Sequence, residues 1–103
     1  MIFAALDEAA TRGELLLWED GFCRWHLRRD GAVTIREIIV LPCRRRTGLG
    51  RRLVEHVAAL NPGRPLTARC PESLTGSNEF WRGLGFVKVR TCEGINEWRR
   101  DPT

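Results

Sequence analysis

The sequence predicts a single mixed α/β (α+β) domain over residues 1–103. Its sheet starts as an antiparallel meander, and its elements run in the order α-β-β-β-α-β-α-β-β. Three observations predict this. Two Asp-Gly pairs, Asp20-Gly21 and Asp30-Gly31, separate three β-rich runs. Such a pair is a two-residue turn signal, because both central residues take positive φ. After Pro42 the apolar residues change to helical spacing. Beyond that helix, strand and helix signals alternate, as in a mixed sheet with crossover connections.

The elements follow in order. Ile2, Phe3, Leu6 and Ala10 sit near helical spacing and predict a short helix that Gly13 ends. Glu14–Glu19, Phe22–Arg29 and Ala32–Val40 are the three strands of the meander. Two-residue turns would fix their register and sort the side chains by face. One face would carry Leu16, Trp18, Cys23, Trp25, Leu27, Ile38 and Val40. The other would carry Leu15, Leu17, Phe22, Arg24, His26, Ile35, Glu37 and Ile39, with Arg24 directly opposite Glu37. Leu49, Leu53, Val57 and Leu60 form one stripe of a helix that Asn61-Pro-Gly63 terminates. Pro65–Cys70 reads as a strand that Pro71 stops. Ser77 or Asn78 would cap a short helix through Gly83. Phe86–Thr91 and Ile95–Arg99 read as two last strands paired across Glu93-Gly94. No linker or repeat divides the chain.

The net charge is +4, and Lys88 is the only lysine among 17 basic residues. Arginine suits phosphate, because its planar fork grips two oxygens at once. The balance fits an anionic ligand, either a phosphorylated cofactor or a nucleic acid. Cys23, Cys43, Cys70 and Cys92 form no CxxC pair, and no His stands at zinc spacing from them. They read as reduced thiols, and no metal is predicted. The first residues lack a basic signal-peptide region, and no apolar run is long enough to span a membrane. A cytoplasmic location, with no membrane partner, is the expectation.

The chemistry concentrates at Pro42–Leu53, where a strand ends, a loop turns and a helix begins. A helix N-terminus carries unsatisfied N–H groups and the positive end of the dipole, which together bind anions. Gly48 and Gly50 would let a phosphate approach the backbone, and Arg44, Arg45, Arg46, Arg51 and Arg52 surround it with charge. A P-loop would need Gly-Lys-Ser/Thr, and a dinucleotide fingerprint a third Gly where Leu53 stands. Arg45-Arg-Thr-Gly48-Leu-Gly50 instead resembles the Arg/Gln-x-x-Gly-x-Gly/Ala signature of the GNAT N-acetyltransferase superfamily. The preceding Glu37-Ile-Ile-Val40-Leu-Pro42 resembles that family's strand ending in Val-x-Pro. A second segment, Asn78-Glu-Phe80-Trp81-Arg-Gly-Leu-Gly85-Phe86, resembles its Asn…Phe-Tyr-x-x-x-Gly-Phe. The match covers roughly residues 32 to 91.

The resemblance implies a GNAT-like acyl-CoA N-acyltransferase fold in which two neighbouring strands splay around acetyl-CoA. Backbone groups near Ile39, Val40 and Leu41 would then hold the pantetheine. Arg45, Arg46, Thr47, Gly48, Leu49, Gly50 and Arg51 would hold the pyrophosphate, chiefly through backbone N–H. Asn78 would bond the pantetheine, and Trp81 or Phe80 would pack along it. The reaction would be direct attack of an acceptor amine on the thioester, helped by a general base. Glu37 is the first candidate, and an ion pair with Arg24 is its competing role. His26 is the second, because an imidazole ordinarily titrates near neutral pH. The backbone N–H of Val40 or Leu41 would serve the thioester oxygen. The family's usual Tyr acid is missing, since the chain has no Tyr; Cys70, Cys92, Ser77 or water would replace it.

The chain is short on its N-terminal side relative to typical members, so part of a sheet face is expected to be uncovered. A homodimer, or a large acceptor, would cover it. Two other functions stay open at this point. Arg24, Arg28, Arg29 and Arg36 suit a nucleic-acid acceptor for a base-modifying acyltransferase. A non-catalytic CoA-binding or interaction module would also account for the missing Tyr.

Overall fold

The structure, a computed structural model, describes residues 12–44 and 47–102. The helix expected within Ile2–Ala10 lies outside them. The described elements are β1 (Leu15–Trp18), β2 (Gly21–Leu27), β3 (Val33–Val40), a 3-10 turn (Pro42–Arg44), α1 (Leu49–Leu60), β4 (Leu66–Pro71), α2 (Thr75–Gly83), β5 (Val87–Cys92) and β6 (Ile95–Arg100). They build a six-stranded sheet in the order β1-β2-β3-β4-β6-β5. β3 and β4 run parallel, and every other neighbouring pair is antiparallel. This is the mixed α+β architecture that the sequence predicts.

Both helices lie on one face of the sheet. Leu49, Leu53, Val54 and Val57 of α1 pack into one cluster with Cys23, Trp25, Val33, Ile35, Leu66, Ala68 and Trp98 from the strands. Trp81 at the end of α2 joins them, stacking edge-on with Phe80 and Phe86. Leu60, expected on the α1 stripe, is 52% exposed, and Val54 takes its place in the core. Among the described residues, no helix covers the opposite face and none is long and apolar enough to cross a membrane.

The turns differ from their expected form. Trp18 pairs with Gly21, so the first turn is centred on Glu19-Asp20, and Gly21 has no positive φ. Its glycine is required for a different reason: a Cβ there would collide with the carbonyl oxygen of Ile39 on β3. The second turn has three residues. Arg28 N–H bonds to Ala32 O at 2.8 Å, Gly31 N–H to Arg28 O at 3.1 Å, and Gly31 takes φ +90°. That is a hairpin loop closed by a left-handed glycine. Among the described residues, only Glu93-Gly94 forms a two-residue turn with positive φ at both centres, 53° and 77°.

The register also shifts once. Arg24 faces Glu37, as expected, but Trp25 faces Ile35, so Arg36 is an extra residue on β3. This β-bulge moves Ile35 to the core face, where it is 5% exposed, and leaves Glu37 on the face away from the helices. Ile35 therefore does not share a face with Glu37, and the reason is the unpaired Arg36.

Candidate active site

β3 and β4 are paired over only three residues each, Val33–Ile35 against Leu66–Ala68. Past Ile35 the bulged β3 continues beside β2 to Val40, while β4 continues beside β6 to Pro71. The two strands thus separate, and a wedge opens between Arg36–Val40 and Arg69–Pro71. Leu41 N–H bonds to Asp20 O at 2.8 Å. Backbone direction alternates along an antiparallel ladder. Ile39 and Leu41 therefore turn their backbone toward β2, whereas Ile38 and Val40 turn theirs toward the wedge. Of the three residues assigned to the pantetheine, only Val40 faces it. Leu41 cannot offer its N–H to a thioester oxygen while Asp20 holds it.

The mouth of the wedge meets the N-terminus of α1. Gly48 precedes the helix with φ +83°, and its carbonyl accepts the first helical bond, from Arg52 N–H at 3.0 Å. No side chain caps the helix, and no acidic residue stands in its first turn. Arg51 and Arg52 occupy that turn instead. Cations there oppose the helix dipole, a cost that a bound anion would relieve. Leu49 is buried, while Thr47 and Gly48 are exposed. Arg45 and Arg46 lie outside the described residues. Arg51 donates to Gly83 O at 3.0 Å, which ties α1 to the end of α2. Arg52 lies over the Trp18 ring. The two glycines have distinct tasks. Gly48 supplies the left-handed turn; a Cβ on Gly50 would meet Phe80 at 3.0 Å, so Gly50 lets α2 pack against α1.

Two residues from the second segment take other positions than expected. Trp81 is buried in the core, and it is Phe80, half-buried beside Gly50 and Val40, that borders the junction. Asn78 does not cap α2, which starts at Thr75; it sits one turn inside and is 7% exposed. Its amide nitrogen donates to Pro71 O at 3.0 Å and Leu74 O at 2.8 Å, with Glu72 O at 3.4 Å. Its oxygen accepts from Asn96 Nδ2 at 3.0 Å and Trp98 Nε1 at 2.9 Å. The amide is saturated by the protein itself, so Asn78 acts as a brace joining the end of β4 to β6 rather than as a hand for pantetheine.

The two candidate bases stand on the face away from the helices. Arg24 Nε and a terminal nitrogen reach Glu37 Oε1 at 2.9 and 2.6 Å, and both side chains are about a quarter exposed or less. His26 is the cross-strand partner of Thr34, and its Nδ1 lies 3.2 Å from Glu14 Oε1. Glu14 was not foreseen. Burial alone would raise its pKa, but Arg12 Nε at 2.7 Å, Leu27 N–H at 2.9 Å and His26 outweigh that, and the carboxyl falls to about 2. No local pattern announces it, because two of its three partners, His26 and Leu27, come from the neighbouring strand and only Arg12 is close in sequence.

The thiols divide clearly. Burial pushes the Cys23 thiol up to about 12, so it is protonated and inert at neutral pH. Burial also raises Cys70, partly offset by a bond with Ser77. Cys43 and Cys92 are exposed. On the open face, a cavity of about 270 Å³ sits where β3–β4 pairing ends, lined by Thr34, Thr67, Ala68 and Arg69 among others. A larger cavity of about 970 Å³ lies at the other ends of α1 and β4, around Asn61, Gly63 and Leu66, away from the glycine loop.

A family model described as acetyltransferase (GNAT) domain matches residues 2–88. Solved structures share the fold. A GNAT-family acetyltransferase from Bacillus cereus ATCC 10987 is 15% identical, with a TM-score of 0.83 over 97% of this chain and 78% of that one. The ribosomal-protein-S18-alanine N-acetyltransferase of Escherichia coli is 21% identical, with a TM-score of 0.70 over 87% and 70%. Arabidopsis thaliana NAA60, in complex with a bisubstrate analogue, is 16% identical, with a TM-score of 0.68 over 82% and 65%. No curated protein matches in sequence.

Proposed function

The chain belongs to the GNAT acetyltransferases, enzymes of acyl transfer from acyl-CoA to nitrogen, and from that premise we propose that it moves an acetyl group from acetyl-CoA to a primary amine. The observation that carries this is the wedge between β3 and β4, which leads from the uncapped, arginine-flanked N-terminus of α1 down to the last β3–β4 pair, Ile35 and Ala68. An extended thioester fits such an opening. Its pyrophosphate would take the N–H groups that follow Gly48. Its pantetheine would run beside the backbone of Ile38 and Val40. NAA60 bound to a bisubstrate analogue has the same fold, which is consistent with this route.

The amine would enter from the face away from α1 and α2, where Glu37 and His26 stand. Its nitrogen attacks the thioester carbon, the C–S bond breaks, and the amine proton passes to Glu37. Arg24 holds only Oε1 of Glu37, so Oε2 is the oxygen for the proton. A His26 held at Nδ1 by Glu14 orients its other nitrogen away from that carboxylate and is the alternative acceptor. The released thiolate takes its proton from water, since Cys70 is buried in the core.

Titration calorimetry with acetyl-CoA tests the donor; no binding at millimolar concentration would sink the reading. Release of free CoA in the presence of a panel of amines tests turnover. Glu37→Gln should lower kcat/KM about 100-fold with unchanged acetyl-CoA affinity. A pH profile that moves with His26→Gln and not with Glu37→Gln would transfer the base to His26.

A further inference from the structure

The small cavity on the open face has a composition that acyl transfer alone does not require. It lies along the β3–β4 seam just before the strands part: Thr34 and Thr67 form the middle of the three pairs, Ala68 belongs to the last, and Arg69 stands just beyond it. An acceptor amine reaching the thioester from this side would pass through it. Four guanidinium groups surround that point: Arg69 on β4, Arg90 on β5, Arg99 on β6 and Arg28 from the turn before β3. Glu97 is the single carboxylate among the lining residues.

The ion pairs of these arginines are unequal. Arg90 grips Glu97 with two bonds, 2.6 and 3.1 Å. Arg28 and Arg99 hold Asp30 and Asp101, which are more than half exposed and outside the cavity lining. Such surface pairs are weak and exchange readily for another anion. Arg69 has the loosest partner, Glu97 at 3.9 Å, although it stands on β4 just past the point of separation. The Thr34 and Thr67 hydroxyls bond to each other at 3.0 Å on the floor between the two strands. The cavity therefore offers positive charge, two hydroxyls and one carboxylate held in place from the side.

We infer that the acceptor is a small amine bearing a carboxylate or phosphate within a few bonds of its nitrogen. Arg69 and Arg99 bind the anionic group by charge-assisted hydrogen bonds, and Glu97 faces the ammonium before it loses its proton. A volume near 270 Å³ suits an amino-acid-sized acceptor rather than a folded protein surface. The inference rests on the acyltransferase reading for the direction of approach, not for the charge of the cavity.

The test uses matched pairs of amines: phosphoethanolamine against ethanolamine, and aspartate against asparagine amide. Each is titrated calorimetrically into the CoA-saturated and the CoA-free protein, and each is assayed for CoA release from acetyl-CoA. The anionic member should bind and react at least tenfold better. The two pairs together tell whether phosphate or carboxylate is preferred. Arg69→Gln should bring the ratio within each pair toward one, and Arg69→Glu should reverse it, with melting temperature as the fold control. Equal binding within both pairs, or no binding of any anionic amine, overturns the inference. So does a protein that ignores all four amines yet binds oligonucleotides with a steep salt dependence. If acetyl-CoA itself does not bind, the proposed function falls, while the CoA-free titrations still decide the charge preference.

Discussion

The two half-sheets that flank the wedge are braced by different chemistry. On the β1–β2–β3 side the brace is Glu14, a buried carboxylate that takes bonds from Arg12, His26 and the Leu27 N–H. On the β4–β6–β5 side it is Asn78, a neutral amide that joins the Pro71 and Leu74 carbonyls to Asn96 and Trp98. β4 pairs with β6 over all of Leu66–Pro71 but with β3 over only three residues. The opening thus has two causes: a bulge turns β3 aside at Arg36, and Asn78 keeps the far end of β4 with β6. One brace depends on proton concentration and the other does not.

Removing the neutral brace should have the largest effect. Asn78→Leu leaves the Asn96 and Trp98 donors without their acceptor and takes a side-chain donor from the Pro71, Glu72 and Leu74 carbonyls, and should cost roughly 3 kcal/mol in urea unfolding. Acetyl-CoA affinity should fall with it, because the end of β4 is no longer held. A variant with wild-type stability would break the comparison at its root.

The charged brace gives the pH dependence. The folded pKa of Glu14 lies below its ordinary value of 4.5, at about 2. Its stabilisation is therefore complete above about pH 4.5 and is lost as pH falls toward 2, at most roughly 3 kcal/mol in all. Glu14→Gln should remove most of this at neutral pH and converge with wild type in strong acid. Amide exchange at pH 3 should speed up in β1 and β2 before β4 and β6. Simultaneous loosening of both halves would show that they are not braced separately.

A smaller effect tests the junction between the halves. Gly48→Ala forces a Cβ into φ +83° and should cost about 1 kcal/mol, although the added atom meets nothing. Gly50→Ala should cost a similar amount through Phe80 instead, and a compensating Phe80→Leu should recover part of it. The smallest change belongs to Arg24→Gln. Its half-buried pair with Glu37 should contribute no more than about 1 kcal/mol to stability. The measurement there is the activity profile, since freeing Glu37 changes the group proposed to take the proton.

The fold was legible where local pattern decides it. The helical stripe from Leu49 to Val57, the Asn61-Pro-Gly63 stop and the pairing across Glu93-Gly94 are all local, and the glycine-loop motif lay where strand gave way to helix. The bulge was harder. Buried residues 33 and 35 are followed by 38 and 40 on the same side, a phase slip that exposed Ile39 conceals because it is also apolar. Asp-Gly signalled both early hairpins but not the position of the first turn, where Gly21 answers to a close carbonyl rather than to a backbone angle, nor the three-residue length of the second. Asn78 and Glu14 were least legible. Two partners of each lie far along the chain, 18 and 20 residues away for Asn78 and 12 and 13 for Glu14. A motif read along one segment assigned Asn78 to a ligand that its saturated amide does not await.

The distribution of thiols has a practical consequence. Cys23 and Cys70 are sealed in the core, whereas Cys43 and Cys92 stand in solvent at opposite parts of the chain. Cys43 belongs to the 3-10 turn that leads into the glycine loop. Replacing Cys92 by Ser would leave one accessible sulfur among the described residues. A maleimide dye coupled there would sit at the entrance of the wedge, and its emission would follow occupancy in real time without any disturbance of the packed interior.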